Sequence, residues 1–450
     1  MRNYLYLFFS FIFLLHIFTE FYTNNILIYI LGILSFIMLI ISFPLANRLF
    51  KILGSAFLIA GFFLFITTDI QTRDIPPLLG TNLSLLTLLA VLPWMNSVVR
   101  AGRFDTLMQK LLRGNVKDLG TLYQRSTTAM MSLTAFLNVS AATIAQDVLV
   151  DNLKPIKKDV ADKFVMMATL RGYSLALLWS PLEVLIAISI FITGVQFGAL
   201  LPWMLSITIF MYIVDSIWGR IYFGKYKYPA SRMGNNQLTN HSKKKIAQLA
   251  LALITFLACV ILIGNIFDYE FIFVVTMLVF PFAFIWALLI GRLKSFWVIG
   301  WDKFKHTTNN MHNFIVLFVT LAFFANSLNA SPAQTIIQQP ILMVADYPVV
   351  ILIMVQLLFV IMSMFGIHPI ATIGILGGLS TLLLEILNPL SLAIILTTSG
   401  VATVPIGTYG LVVTLTSMNL KKSPYKITYY NLIYSAVFGA VGIFVAWLAL

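Results

Sequence analysis

Apolar runs of about 20 residues recur from one end of this chain to the other, and no polar block long enough for a soluble domain separates them. Coiled as a helix, a run of that length matches the hydrocarbon thickness of a bilayer. Composition agrees, since 60% of the residues are hydrophobic and 10% are charged, against roughly 45–50% and about 25% in soluble domains. No soluble core could hide that much apolar surface, so the 450 residues read as one all-α integral membrane unit. The first run, 4–22, follows a single cation, Arg2, and lacks a small-residue cleavage site, so it reads as a helix and not as a signal peptide. The lone Cys259 sits inside an apolar run, which leaves no disulfide framework and no paired thiol chemistry.

Where the cations fall decides how the runs are threaded. Apolar runs at 4–22, 26–43, 50–68, 82–99, 164–195, 198–217, 247–265, 270–290, 314–330, 389–416 and 430–450 give about 11 transmembrane helices. Two further apolar stretches, 127–152 and 349–386, remain. Read as re-entrant hairpins that leave on the side they enter, they place 27 of the 29 Lys and Arg on one face, in the N-terminus and in 44–51, 100–126, 153–163, 218–246, 291–313 and 417–429. Arg73 lies on the other face and Arg171 within a span. An odd number of crossings by either stretch would swap every later loop and break that bias. Cations flank helices on the cytoplasmic side, so the partition predicts a multi-pass protein of the cytoplasmic (inner) membrane with its N-terminus inside. It also accounts for the net charge of +13 without nucleic acid as a partner.

Segment 100–125 sets Arg103, Lys110, Arg113 and Lys117 among Phe104, Leu107, Met108, Leu111 and Leu112, the pattern of an amphipathic helix on a membrane surface. Residues 297–305 look similar. Segment 219–246, with Pro229, Gly234 and the run Lys243, Lys244, Lys245, is the one polar linker of any length. It divides the chain into a three-helix preface at 1–81, a first repeat at 82–218 and a second repeat at 247–450. The first repeat holds hairpin 127–152 and a broken helix at 164–195; the second holds hairpin 349–386 and a broken helix at 389–416. The spans between the hairpins make them enter from opposite faces, the arrangement of an inverted repeat.

Polar residues at the tips and breaks are the candidates for chemistry. The first hairpin carries Asn138, Ser140 and Thr143 at its middle. Such side chains can bind an ion together with backbone groups freed at the turn, or they can simply satisfy neighbouring backbone. Pro181 removes a backbone donor from the next run and Ser180 can cap a new helix start, so 164–195 is expected to be two half-helices. The second half-helix would aim its positive end at an anion. In the second repeat, Gly366 and His368, followed by Pro369, mark the hairpin tip, and 397–408, with Thr398, Ser399, Thr403 and Thr408, marks the break. Ionisable groups inside spans are costly and face a cavity or a partner. Arg171 has three readings: an anion ligand, a partner for Glu183 or Asp147, or a side chain reaching the interface. Asp147 is a candidate for coupling and His368 for a proton switch or a turn cap. His16, Asp215 and Glu385 read as structural or interfacial.

This arrangement resembles the ion transporter superfamily, which includes divalent-anion/sodium symporters and arsenite permeases. The nearest local match is Thr134-Ala135-Phe136-Leu137-Asn138, similar to that family's small-aromatic-Asn hairpin segment. The architectural match covers about 82–450. It implies two inverted repeats, each with a hairpin and a broken helix, whose small polar residues bind substrate and sodium, and it makes Asn138 the first residue to carry over. The paired Ser-Asn-Thr signatures of the dicarboxylate branch and the acidic pair of its antiporters are absent, which leaves the subfamily unassigned.

The expected function is therefore secondary active transport of a small organic or inorganic anion, coupled to sodium or protons, as a symporter without a cofactor or a resident metal. A homodimer is compatible with this reading. Two other classes compete. A flippase for lipid or lipid-linked intermediates would use the same broken helices with a lateral opening. A membrane-embedded envelope-biosynthesis enzyme would need an acid or His cluster at an aqueous face, and the longest outer loop, 331–348, offers only Asp346. The absence of an acidic ring or a filter-like repeat argues against a cation channel.

Overall fold

The computed structural model describes residues 4–68, 70–112, 116, 118–228, 240–333, 339, 344–408 and 410–450, without the side chains of 105, 108, 109 and 240–243. In chain order the helices begin with α1 (Leu5–Phe21), α2 (Asn25–Ser42), α3 (Arg48–Ile66), the short α4 (Ile75–Gly80), α5 (Leu83–Ala101) and α6 (Asp105–Leu112). A hairpin follows, α7 (Leu119–Leu137) and α8 (Val139–Asn152), then an interrupted helix, α9 (Lys158–Leu177) and α10 (Val184–Thr193), then α11 (Phe197–Gly224). The middle of the chain is α12 (Asn240–Phe267), α13 (Phe271–Leu289), α14 (Leu293–Asn309) and α15 (His312–Asn329). A second hairpin pairs α16 (Pro348–Met364) with α17 (Pro369–Gly377) and α18 (Ser380–Ile386). The chain ends in a second interrupted helix, α19 (Pro389–Thr403) and α20 (Leu411–Leu420), and α21 (Pro424–Leu448).

The described residues contain no strand beyond the isolated bridge between Asp118 and Lys227. Eight of the helices are long and apolar enough to cross a membrane, or nine if the pair α17 and α18, bent by 75°, is one span. The sequence count of about 11 is larger because it also includes α1, which has 17 residues, and the two interrupted helices, whose separate pieces do not pass as spans. The linker read at 219–246 is shorter at both ends, since α11 runs on to Gly224 and α12 starts at Asn240. Pro229 and Gly234 of that linker, and Arg113 and Lys117 of the amphipathic segment, lie outside the described residues.

Helices are the only open-ended way to satisfy every backbone group in hydrocarbon, and the side chains are sorted accordingly. Large apolar residues such as Phe11, Leu14, Phe63 and Ile433 point outward, while Ser35, Thr87, Ser126 and Thr320 are buried between helices. Each of those hydroxyls donates to the carbonyl four residues earlier, at 2.7 to 2.8 Å, so a small polar residue satisfies itself while letting backbones approach. Gly219 shows how close: a Cβ there would overlap the Tyr123 ring.

Both arms of the first hairpin open at one place. The Leu119 N–H donates to the Tyr226 carbonyl at 3.1 Å, and the Asn152 carbonyl accepts from the Tyr228 hydroxyl at 3.3 Å. Residues 226–228 therefore pin the start of α7 and the end of α8 together. The arms are Leu119–Leu137 and Val139–Asn152, so the hairpin begins earlier than the 127 read from apolarity. Arg125 near its base had interrupted that pattern. The second hairpin turns at 365–368, where Gly366 takes a φ of 82° and the Ile367 N–H reaches back to the Met362 carbonyl at 2.9 Å.

Candidate functional site

The first hairpin turns on one residue. Asn138 ends α7 and starts α8 with φ 46° and ψ −135°, a backbone region that side-chain-bearing residues avoid and that persists where surroundings enforce it. Its side chain Oδ1 accepts a 2.6 Å hydrogen bond from the Tyr173 hydroxyl of α9. Two residues on, Ser140 Oγ accepts from Arg100 Nη2, at the end of α5, at 2.6 Å. Thr143 donates within its own turn to the Ser140 carbonyl at 3.0 Å.

This tip abuts the first interruption, 178–183. Ser180 Oγ donates to the Ala135 carbonyl at 3.0 Å, beside Pro181. Glu183 is the buried residue immediately before α10, and its side chain makes no capping hydrogen bond. The positive end of α10, which the sequence reading aims at an external anion, therefore begins beside a buried carboxyl group of the chain itself. The cation nearest the tip is instead Arg100, and none of the described ion pairs involves it. Sequence reasoning had assigned Arg100 to the amphipathic segment and missed Tyr173.

The second tip repeats the arrangement. Ser363 Oγ, in the last turn of α16, donates to the Thr403 carbonyl at 3.4 Å, and a Cβ on Gly407 would lie 3.0 Å from that same oxygen. The interruption is 404–410, later than the 397–408 read from sequence. Residues 397–403 stay helical because Thr398 and Thr403 donate back to the carbonyls of Ile394 and Gly400, at 2.7 and 2.8 Å. Thr408 pairs with Thr428 across 3.3 Å. His368 caps α17, its Nδ1 accepting from the Ile370 N–H at 3.2 Å; of the two roles weighed for it, the turn cap is the one the geometry displays. Ten buried hydroxyls have no partner among the described residues, and three of them lie on the helices of this second pair: Thr397 and Ser399 on α19 and Thr372 on α17. Buried polar atoms are nearly always bonded, so this group requires an explanation.

The two interruptions are complementary in packing. α10 lies on α19 and α8 on α20, while α9 touches both α19 and α20, so the two interruptions pack against one another. Polar bonds stitch that seam: Gln146 Nε2 donates to Thr416 at 2.7 Å and Asn419 Nδ2 to the exposed Asp147 at 3.0 Å. Lys422 pairs with Asp162 at 2.9 Å, a contact that raises the pKa of its amine.

Arg171 is committed elsewhere. Its guanidinium donates to Asp215 Oδ1 at 2.8 Å, to Asn431 Oδ1 at 3.1 Å and to the Tyr430 carbonyl at 3.0 Å. The Trp218 and Tyr434 rings lie 4.5 and 5.0 Å from it. Tyr123 donates to the other Asp215 oxygen at 3.0 Å. Neither Glu183 nor Asp147, the partners weighed from sequence, takes part; Asp215 does, and it joins α7, α9, α11 and α21 at one buried point.

A hairpin tip bonded to a helix interruption, twice over, is an architecture of the helical membrane protein class. Solved structures resemble this fold. The chain aligns with the YdaH transporter of Alcanivorax borkumensis at a TM-score of 0.58 and 16% identity, over 88% of this chain and 96% of that one. It aligns with MtrF of Neisseria gonorrhoeae, described as illuminating a class of antimetabolite efflux pumps, at 0.57 and 15%, over 91% and 96%. At those identities the likeness is one of fold. No family model and no curated protein matches the sequence.

Proposed function

We propose that this chain is a secondary transporter that moves a small anion, coupled to a sodium or proton gradient, through a site shared by the two tip-and-interruption pairs. The observation that carries this reading is the pairing itself: Asn138 and Ser180 at one interruption, Ser363, Thr403 and Thr408 at the other, with α10 on α19 and α8 on α20. Non-helical backbone within a span must line protein or water, and two such places packed across one interface favour an aqueous site between them. The orphaned hydroxyls of Thr397, Ser399 and Thr372 supply ligand oxygens, and Arg100, hydrogen-bonded to Ser140, supplies the positive charge. The fold likeness to two transporters and the inverted-repeat threading of the ion transporter superfamily support the same reading, with the cation-rich loops in the cytoplasm.

The test is flux of a panel of radiolabelled anions into proteoliposomes under imposed sodium or proton gradients. The expected result is gradient-driven accumulation of at least one anion, lost in Arg100→Gln protein that still runs as folded material on gel filtration. Equal flux of neutral analogues, or normal anion flux in the Arg100 variant, would remove the anion assignment.

A further inference from the structure

The molecule has a second polar feature that the transport reading does not use. A cavity of about 660 Å³ lies where the α5–α6 turn, the start of α12 and the α13–α14 turn meet. Five cations line it, Arg103, Lys110, Lys244, Lys245 and Arg292, and no carboxylate is among its described lining. Cations near helix ends are ordinary on one face of a membrane protein, but here they come from three separate segments and converge on one space. Lys245 helps close the wall, donating to the Gly102 and Arg103 carbonyls at 2.9 and 3.2 Å.

The backbone presents two of these charges in the same manner. α5 and α13 end in matching turns, in which Phe104 N–H reaches Val99 and Arg292 N–H reaches Ala287, at 3.1 and 2.9 Å. Arg103 and Gly291 hold the equivalent left-handed positions, with φ of 55° and 67°. That conformation is disfavoured for a residue with a side chain, yet Arg103 occupies it at the mouth of the cavity. Directly beyond the cations the surface turns apolar and outward-facing. Leu289 in the cavity wall is 81% exposed, Ile285 one turn back on α13 is 55% exposed and Leu251 on α12 is 65% exposed.

We infer that this cavity binds the phosphate headgroup of an anionic glycerophospholipid, with Arg103, Lys110, Lys244 and Arg292 around the phosphate and the acyl chains along the exposed faces of α12 and α13. A basic pocket that opens onto lipid-facing helix surface has the charge and the shape for such a ligand. A soluble phosphate would use the charges but not the apolar flank.

Full-length protein, delipidated in detergent, would be titrated with phosphatidylglycerol or with phosphatidylcholine of the same acyl chains, and bound lipid counted by native mass spectrometry. Phosphatidylglycerol is expected to bind and phosphatidylcholine to bind far more weakly. Each cation removed should weaken phosphatidylglycerol by about fivefold, so Arg103→Gln/Lys110→Gln/Arg292→Gln should lose roughly a hundredfold, while Arg48→Gln on α3 leaves binding unchanged. If the triple variant does not fold, the single Lys244→Gln, with its fivefold loss, decides. Equal binding of the two lipids, or wild-type affinity in the folded variants, would overturn the assignment. So would displacement of the lipid by an equal concentration of inorganic phosphate, which would make this a site for soluble anions.

Discussion

Asn138 carries two constraints at once, because it must accept a strained backbone while its amide oxygen holds Tyr173. The two demands separate by mutation. Asn138→Gly relieves the backbone, worth on the order of 1–3 kcal/mol, and removes the amide. It should therefore match or exceed the wild-type melting temperature and still raise the half-saturating concentration of the transported anion. Asn138→Ala keeps the strain and should raise the same concentration with a lower melting temperature. Wild-type flux kinetics in both would take the residue out of the site. Arg171 and Asp215 make the opposite case, a pair whose value is structural. Arg171→Ala leaves a buried carboxylate alone and should cost about 3–5 kcal/mol, whereas the double variant Arg171→Ala/Asp215→Ala should recover part of that loss in a thermal unfolding cycle; additive losses would contradict the pairing. Asn138 was legible in sequence because a polar residue closes the Thr134–Asn138 motif between two apolar arms. The Asp215 partnership was not, because 44 residues separate it from Arg171 and no local spacing links them.

Among the helices, what sequence reading located was the existence of the interruptions, and what it misplaced were boundaries, that of the second interruption among them. Ser and Thr are poor helix formers in water, so 397–403 looked broken. Inside the protein their hydroxyls bond the preceding turn, and the helix yields only at Pro405 and Gly407, in 404–410. The same account predicts how this wall responds to added volume. A Cβ on Gly400 would sit 3.5 Å from Phe359 and 3.6 Å from Leu185, ordinary contact distances. Gly400→Ala should then be near neutral, whereas Gly400→Leu should overpack the α10–α16 wall, cost about 1–3 kcal/mol and stop flux. Equal behaviour of the two variants would mean that α10 and α19 do not pack as described. Thr403→Val and Thr408→Val keep shape and remove a hydroxyl, so both are expected to slow flux without lowering expression of folded protein.

For the whole molecule, the most informative expectation from sequence is a threading that sorts 27 of 29 cations to one side, because it requires both hairpins before any motif is considered. The structure pins both arms of the first hairpin to residues 226–228. Single cysteines, in a background where Cys259 is replaced by Ala, extend the test to sidedness: one at Lys157 should resist an impermeant reagent applied from outside, and one at Thr72 should react. Reaction at 157 would mean that the hairpin crosses. The seam between the halves was not legible, since Gln146–Thr416 and Asp147–Asn419 join residues about 270 apart through side chains that carry no pattern. That seam is what sets the two interruptions against each other, and it can be measured in the same background. With cysteines at Ser180 and Thr403, a short bifunctional reagent is expected to join the two positions in folded protein, and a transported anion should slow the reaction. No cross-link in active protein, or a cross-link indifferent to the anion, would contradict a single site shared by the two hairpin and interruption pairs.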